Sequence, residues 1–159
     1  MKITKLSING VTIFQPEIYQ DERGSFRRTY CKNTMLNNGL EAECLQGNLS
    51  YNPVKGTLRG FHYQSEPYGE AKTITCVSGS LYDIVVDLRR DSATYKKWCS
   101  VNLDGKIGNS LYIPRGCANA WLTLEENTIV HYYMGNFYNA ASGKGIRYDD
   151  PTFNFKWPI

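Results

Sequence analysis

The chain has 159 residues, of which 42% are hydrophobic, 21% charged and 13% aromatic, a balance that excludes a disordered chain and describes an ordinary soluble protein. Its formal net charge of +3 is scattered, with Lys and Arg mixed among Asp and Glu, so no basic arm is offered to a nucleic acid. No apolar run approaches the roughly 20 residues of a spanning helix, and no signal-type stretch opens the chain, so a cytoplasmic location without membrane contact is expected.

Residues 1–7 alternate weakly, Asn9-Gly10 is a turn signal and residues 11–14 form a second short apolar run, so the chain opens as strand, turn and strand. DERGSFRRTY, residues 21–30, combines acid, arginine and glycine in an ordered loop expected to enter a strand at Phe26. Residues 33–40 predict one or two helical turns closed by Asn38-Gly39. Short runs then follow at 43–50, 57–64, 72–77, 81–88, 98–103, 110–113, 118–124 and 128–134, most of them separated by turn residues. The tail 144–159, with Asp149-Asp150-Pro151 and Trp157-Pro158, is expected to pack across the domain.

No repeated helix is available to cross between parallel strands. The pattern therefore predicts an all-β fold with little helix, an antiparallel sandwich or barrel of jelly-roll type. A chain of this length buries about two-thirds of its unfolded surface, and neither a repeat nor a linker divides it, so residues 1–159 read as a single domain. Five cysteines, odd in number and without a Cys-x-x-Cys pair, read as reduced and mostly buried thiols.

The run GTLRGFHYQ, residues 56–64, holds one of only two histidines, three residues after Arg59. In a strand, His62 shares a face with Gly60 and Gln64, opposite Phe61 and Tyr63. Such a histidine fits either a general base beside a bound anion or a ring bonded into the sheet without chemistry. A metal site needs several converging His, Asp, Glu or Cys side chains, and with only His62 and His131 available no resident metal is expected. Phosphate-loop and dinucleotide glycine patterns are missing too.

Acid–base chemistry remains. Lys72 opens a strand and is either a surface lysine or a charge placed to stabilise an oxyanion. In LYDIVVDL, residues 81–88, alternation puts Asp83 on one face with Leu81, Val85 and Asp87, a carboxylate in an apolar strand that requires a partner on a neighbouring one. HYYMGNFY, residues 131–138, gathers tyrosines that serve as rim packing or as a proton donor opposite a base.

Taken in order, DERGSF, QGNLS, GTLRGFHYQ, the pair Ala71-Lys72, VSGSLYDIVVDLRRDSATYKKW, LYIPRGCANAWLTL, NFY, YDDP and KWP span nearly the whole chain. In that order and spacing they resemble the dTDP-4-dehydrorhamnose 3,5-epimerase family, the cupin-fold sugar-nucleotide epimerases. The resemblance implies a cupin-like jelly-roll that works as a homodimer without metal or other cofactor on a nucleoside-diphosphate 4-keto-6-deoxy sugar. It implies epimerisation at carbon 3, carbon 5 or both through an enolate, in deoxysugar biosynthesis.

By the same resemblance, His62 is the base, Lys72 stabilises the enolate and Tyr132 is the acid. Asp83 is a site aspartate that orients or balances His62 or Lys72, and Tyr138 lines the substrate site. Arg23 and Arg59 meet the diphosphate, whose oxygens suit paired guanidinium donors. Phe26, Gln46 and Asn48 contact the nucleotide, some of them from across the dimer.

Two features depart from the family. Where the family reads Gly-Phe-Ala-His-Gly, this chain reads Gly116-Cys117-Ala118-Asn119-Ala120 after an inserted Arg115, so Asn119 stands in place of a site histidine. An amide hydrogen-bonds a sugar hydroxyl but takes up no proton near neutral pH. After KWP, longer relatives carry an aspartate partner for the base, so His62 is expected to find another partner or do without. A 3,4-ketoisomerase of the same broad fold, which shares the enolisation, is a second reading, and the two departures motivate a third, a binding module that keeps the nucleotide pocket without turnover. A metal-dependent cupin is the remaining and poorer alternative.

Overall fold

The computed structural model describes residues 1–159 throughout. Thirteen strands and one short helix follow in order: β1 (Lys2–Lys5), β2 (Thr12–Gln15), β3 (Tyr19–Asp21), β4 (Gly24–Phe26), α1 (Lys32–Asn37), β5 (Gln46–Asn52), β6 (Leu58–Gln64) and β7 (Lys72–Ser78). They continue with β8 (Ser80–Asp87), β9 (Trp98–Asp104), β10 (Ser110–Ile113), β11 (Cys117–Thr123), β12 (Thr128–Met134) and β13 (Gly143–Gly145). A six-stranded sheet runs β1-β2-β10-β7-β12-β5 and a five-stranded sheet runs β13-β6-β11-β8-β9, while β3 and β4 form a separate hairpin. Every pairing is antiparallel, as the all-β jelly-roll reading requires.

Period-two alternation sorts the side chains into layers. Leu81, Val85, Cys117 and Trp121 of the five-stranded sheet meet Ile74, Cys76, Leu111, Ile113 and Val130 of the other sheet in the main core. The residues between them on the same strands, Ile84, Val86, Ala118 and Ala120, face outward with Phe61 into a second cluster. Phe153, Phe155 and Trp157 cover that cluster, Phe155 stacking on Phe61 at 4.4 Å between ring centres. The C-terminal tail thus packs across the domain as its aromatic and proline content suggested. A third cluster, with Phe14 and Tyr112 under Met35 of α1, covers part of the six-stranded sheet's outer face.

The structure corrects several sequence expectations. Phe26 ends β4 rather than opening a strand, because Gly24–Phe26 folds back on Tyr19–Asp21 as a tight hairpin. β5 begins three residues later than the run at 43, where pairing with β12 starts at Gln46 opposite Met134. β13 had no sequence signal: Gly143–Gly145 is a strand only because the edge of β6 supplies its partners. All five cysteines are free, but only Cys76 and Cys117 are buried, and Cys44 is exposed. No helix is long and apolar enough to cross a membrane.

Strict alternation would put Arg59 and His62, three residues apart, on opposite faces of β6. A bulge resolves this, since Asn119 of β11 pairs with His62 and its neighbour Ala120 pairs with Gly60, leaving Phe61 as the extra residue. The kink requires Gly60. Its φ is +118°, and a Cβ there would stand 2.5 Å from the Asn119 carbonyl oxygen and 2.7 Å from the Cα of Ala120. Arg59 and His62 consequently border the same cleft, while Phe61 is buried on the opposite face.

Candidate active site

A cleft of about 410 Å³ opens at one end of the roll, with walls from both sheets. β6 and β11 of one sheet contribute Arg59, His62, Asn119 and Trp121, and β7 and β12 of the other contribute Lys72 and Tyr132. The cleft mouth carries Tyr138. Its backbone N–H donates to Gln46 Oε1 of β5 at 2.5 Å, and Gln64 Oε1 accepts from the next N–H, Asn139, at 2.8 Å. Asn48, also on β5, donates to Met134 Sδ at 3.3 Å and so borders the wall rather than lining it.

Lys72 is the hub. Its ammonium donates to the His62 carbonyl oxygen at 3.1 Å and to Asn119 Oδ1 at 3.3 Å, and it pairs with Glu70 Oε1 at 3.4 Å. Burial pushes the Lys72 ammonium below its ordinary range, while Glu70 and the more distant Asp83 pull it back up. Asp83 has no exposed surface and accepts from Asn119 Nδ2 at 3.1 and 3.3 Å. Burial holds its carboxyl well above the usual carboxylate range, against the smaller pulls of Asn119 and the Lys72 charge. Asp83 reaches Lys72 only through the Asn119 amide, which bridges the two strands by accepting on one side and donating on the other.

The His62 imidazole is pushed below its ordinary pKa, first by burial and then by the charges of Lys72 and Arg59. No carboxylate is among the charges acting on it. The Tyr132 phenol is pushed up by burial, with Arg59 acting in the opposite direction, and its ring lies 6.0 Å from that of Trp121. A neutral imidazole and a protonated phenol therefore look across the cleft from opposite sheets. Arg59 is steadied by donating from Nε to Asn52 Oδ1 at 2.7 Å.

Two expected site residues stand apart. Arg23 and Phe26 lie on the β3–β4 hairpin and do not line the cleft; Arg23 is bound to Asp21, and Phe26 is 68% exposed. The structure adds Glu70, Trp121 and Gln64 to the surroundings of the cleft, none of which was given a role from sequence. Glu70 was legible in principle, because a residue two before Lys72 shares its side of an extended segment. Nowhere do three His, Cys, Asp or Glu side chains gather as a metal would need.

Comparison with known proteins identifies the family. The family model described as dTDP-4-dehydrorhamnose 3,5-epimerase matches residues 5–159. A dTDP-4-dehydrorhamnose 3,5-epimerase of Shigella flexneri is 37% identical over 160 aligned positions, covering 100% of this chain and 88% of the relative. The solved epimerase of Mycobacterium tuberculosis superposes with a TM-score of 0.96 at 34% identity, over 100% of this chain and 80% of that one. A Legionella pneumophila 3,5-epimerase solved in complex with dTDP-4-keto-L-rhamnose gives 0.94 at 31% identity, over 99% and 84%. The chain belongs to the dTDP-4-dehydrorhamnose 3,5-epimerase family of isomerases.

Proposed function

We propose that this enzyme inverts carbon 3, carbon 5 or both of a nucleoside-diphosphate 4-keto-6-deoxy sugar, with His62 as base, Lys72 as enolate stabiliser and Tyr132 as acid. The observation that carries the reading is the opposition of His62 and Tyr132 on the two sheets with Lys72 between them in sequence order and in the same cleft. The Legionella relative's bound dTDP-sugar supports the substrate class. A ring held in the cleft presents one face to an imidazole and the other to a phenol.

The protonation states suit the two roles. Burial and two neighbouring cations keep His62 neutral, so it can accept the proton on the carbon beside the ketone. Charge then develops on the ketone oxygen, where the Lys72 ammonium, its side chain only 11% exposed, stabilises it. Tyr132, its proton held by burial, returns a proton to the opposite face of the enolate, and the centre is inverted. The Lys72, Asn119 and Asp83 chain keeps the ammonium at the oxygen's position. Arg59 meets the diphosphate.

Arg23 and Phe26 complete the site from a second copy of the chain. The exposed hairpin that carries them supports this, as does β5, an open sheet edge on which Leu49 and Tyr51 are both more than half exposed. A solution mass of one chain would count against the homodimer.

Proton NMR of the 4-keto-6-deoxy sugar nucleotides linked to dTDP, CDP and GDP, in deuterium oxide, tests the reaction. Enzyme-dependent loss of the proton at carbon 3, carbon 5 or both, absent in His62→Ala, is the expected result. Nucleotide binding without exchange at either carbon would replace the epimerase reading with a binding module.

A further inference from the structure

Only two buried side-chain polar atoms in the chain lack a hydrogen-bond partner, Glu70 Oε2 and Trp121 Nε1, and both belong to residues that line the cleft. Buried polar groups are almost always paired, because an unpaired one forfeits its hydration without return. One orphan is an acceptor and the other a donor, so the cleft is complementary to a ligand that brings both kinds of group. Glu70 is the more informative. It is 6% exposed, and Lys72 holds only its Oε1.

The backbone around Glu70 is fixed. The Gly69 carbonyl accepts from Arg115 Nη1 at 2.6 Å and Asn136 Nδ2 at 3.2 Å, and the Ala71 carbonyl accepts from the Gly135 N–H at 2.8 Å. The terminal torsion of a glutamate is soft, so its carboxylate turns toward a donor without moving this frame. Any donor it meets must lie next to whatever Lys72 binds, since the carboxylate and the ammonium are in contact.

Resting on the reading above, in which Lys72 receives the ketone oxygen at carbon 4, we propose that Glu70 is a specificity-determining residue that accepts a hydrogen bond from the sugar hydroxyl vicinal to that ketone. In a 4-keto-6-deoxy sugar, carbon 5 carries the ring oxygen and a methyl group, neither of them a donor. Carbon 3 carries the only vicinal hydroxyl. Glu70 therefore selects substrates that retain the 3-hydroxyl against 3-deoxy sugars, whose binding would leave the carboxylate oxygen unpaired.

The test compares dissociation constants of dTDP-4-keto-6-deoxyglucose, its 3-deoxy counterpart and dTDP alone, for the wild type, Glu70→Gln and Glu70→Leu, with deuterium exchange at carbons 3 and 5 recorded in parallel. Both sugars bring the same ketone to Lys72, so any loss of its counter-ion affects them alike and cancels in their ratio. The wild type is expected to prefer the 3-hydroxy sugar by about 10- to 100-fold, as a charge-assisted hydrogen bond gives. Glu70→Gln keeps a weaker acceptor and an intermediate ratio, and Glu70→Leu brings the ratio near one. Equal binding of the two sugars by the wild type, a preference that survives in Glu70→Leu, or no sugar-dependent gain over dTDP overturns the proposal. Absence of exchange with a preserved binding ratio overturns the epimerase reading and leaves Glu70's role standing.

Discussion

The two faces of the five-stranded sheet are built from the same strands and do opposite things. On the inner face near the cleft stand His62, Asp83 and Asn119, linked to Lys72 of the facing sheet. One residue away along each strand, Phe61, Ile84 and Ala120 form a buried apolar face sealed by Phe153, Phe155 and Trp157. The outer face has only to exclude water, whereas the inner face has to hold charged groups at fixed distances. Its polar groups are affordable because the apolar face beside them fixes register: slipping by one residue would turn the aromatics into the cleft and bury the charges under the tail.

Gly60→Ala should break this division most severely. A Cβ 2.5 Å from the Asn119 carbonyl oxygen at a left-handed φ forces the bulge to open, with a combined cost of about 2–6 kcal/mol. Urea unfolding and the exchange assay should both register it, because loss of the bulge also parts Arg59 from His62. Wild-type stability in this variant would mean that the parity of β6 does not depend on the glycine.

A neighbouring pair of substitutions separates the faces. Phe61→Ala should cost about 3–5 kcal/mol of unfolding free energy while the protein that remains folded keeps its turnover. His62→Ala should lower the exchange rate by about 10²- to 10⁴-fold with little change in stability. Reversed outcomes, a thermal shift from His62 or a specific rate loss from Phe61, would place the chemistry on the wrong face.

Asp83→Asn sharpens the inner face further. Burial raises the Asp83 pKa in the native state, so the folded protein binds its proton more tightly than the unfolded chain does. The stability this supplies is full below the unfolded value of about 3.9 and is lost as pH rises toward the native one, at up to about 1.4 kcal/mol per pH unit. The asparagine variant should lack that slope, so melting curves of the two proteins should diverge in its favour with rising pH across the window. Parallel curves would mean that Asp83 is not held protonated.

The smallest effect is the acid limb of kcat/KM. With His62 pushed below its ordinary 6.5, activity should hold at neutral pH and fall about tenfold per pH unit only below a midpoint under 6.5. A midpoint above that value would require a carboxylate beside the ring.

Much of this was legible from the residues. Composition and the succession of short runs specified an antiparallel all-β chain, and alternation alone put Asp83 on one face with Leu81 and Val85, which the core clusters show to be the inner one. Motif order identified the family. Strand propensity and side-chain period are local properties, so they survive in the sequence.

What only the tertiary structure decided depends on residues far apart in the chain. The bulge that turns Arg59 and His62 to one side comes from the register of β6 against β11. The Asn119 bridge from Asp83 to Lys72 needs three strands brought together. Gly143–Gly145 is a strand solely because an edge was waiting for it, and Glu70 shows its buried, unpaired oxygen only once the cleft walls are assembled. Period and propensity act between neighbours, whereas register, burial and hydrogen-bond satisfaction are set when distant strands meet.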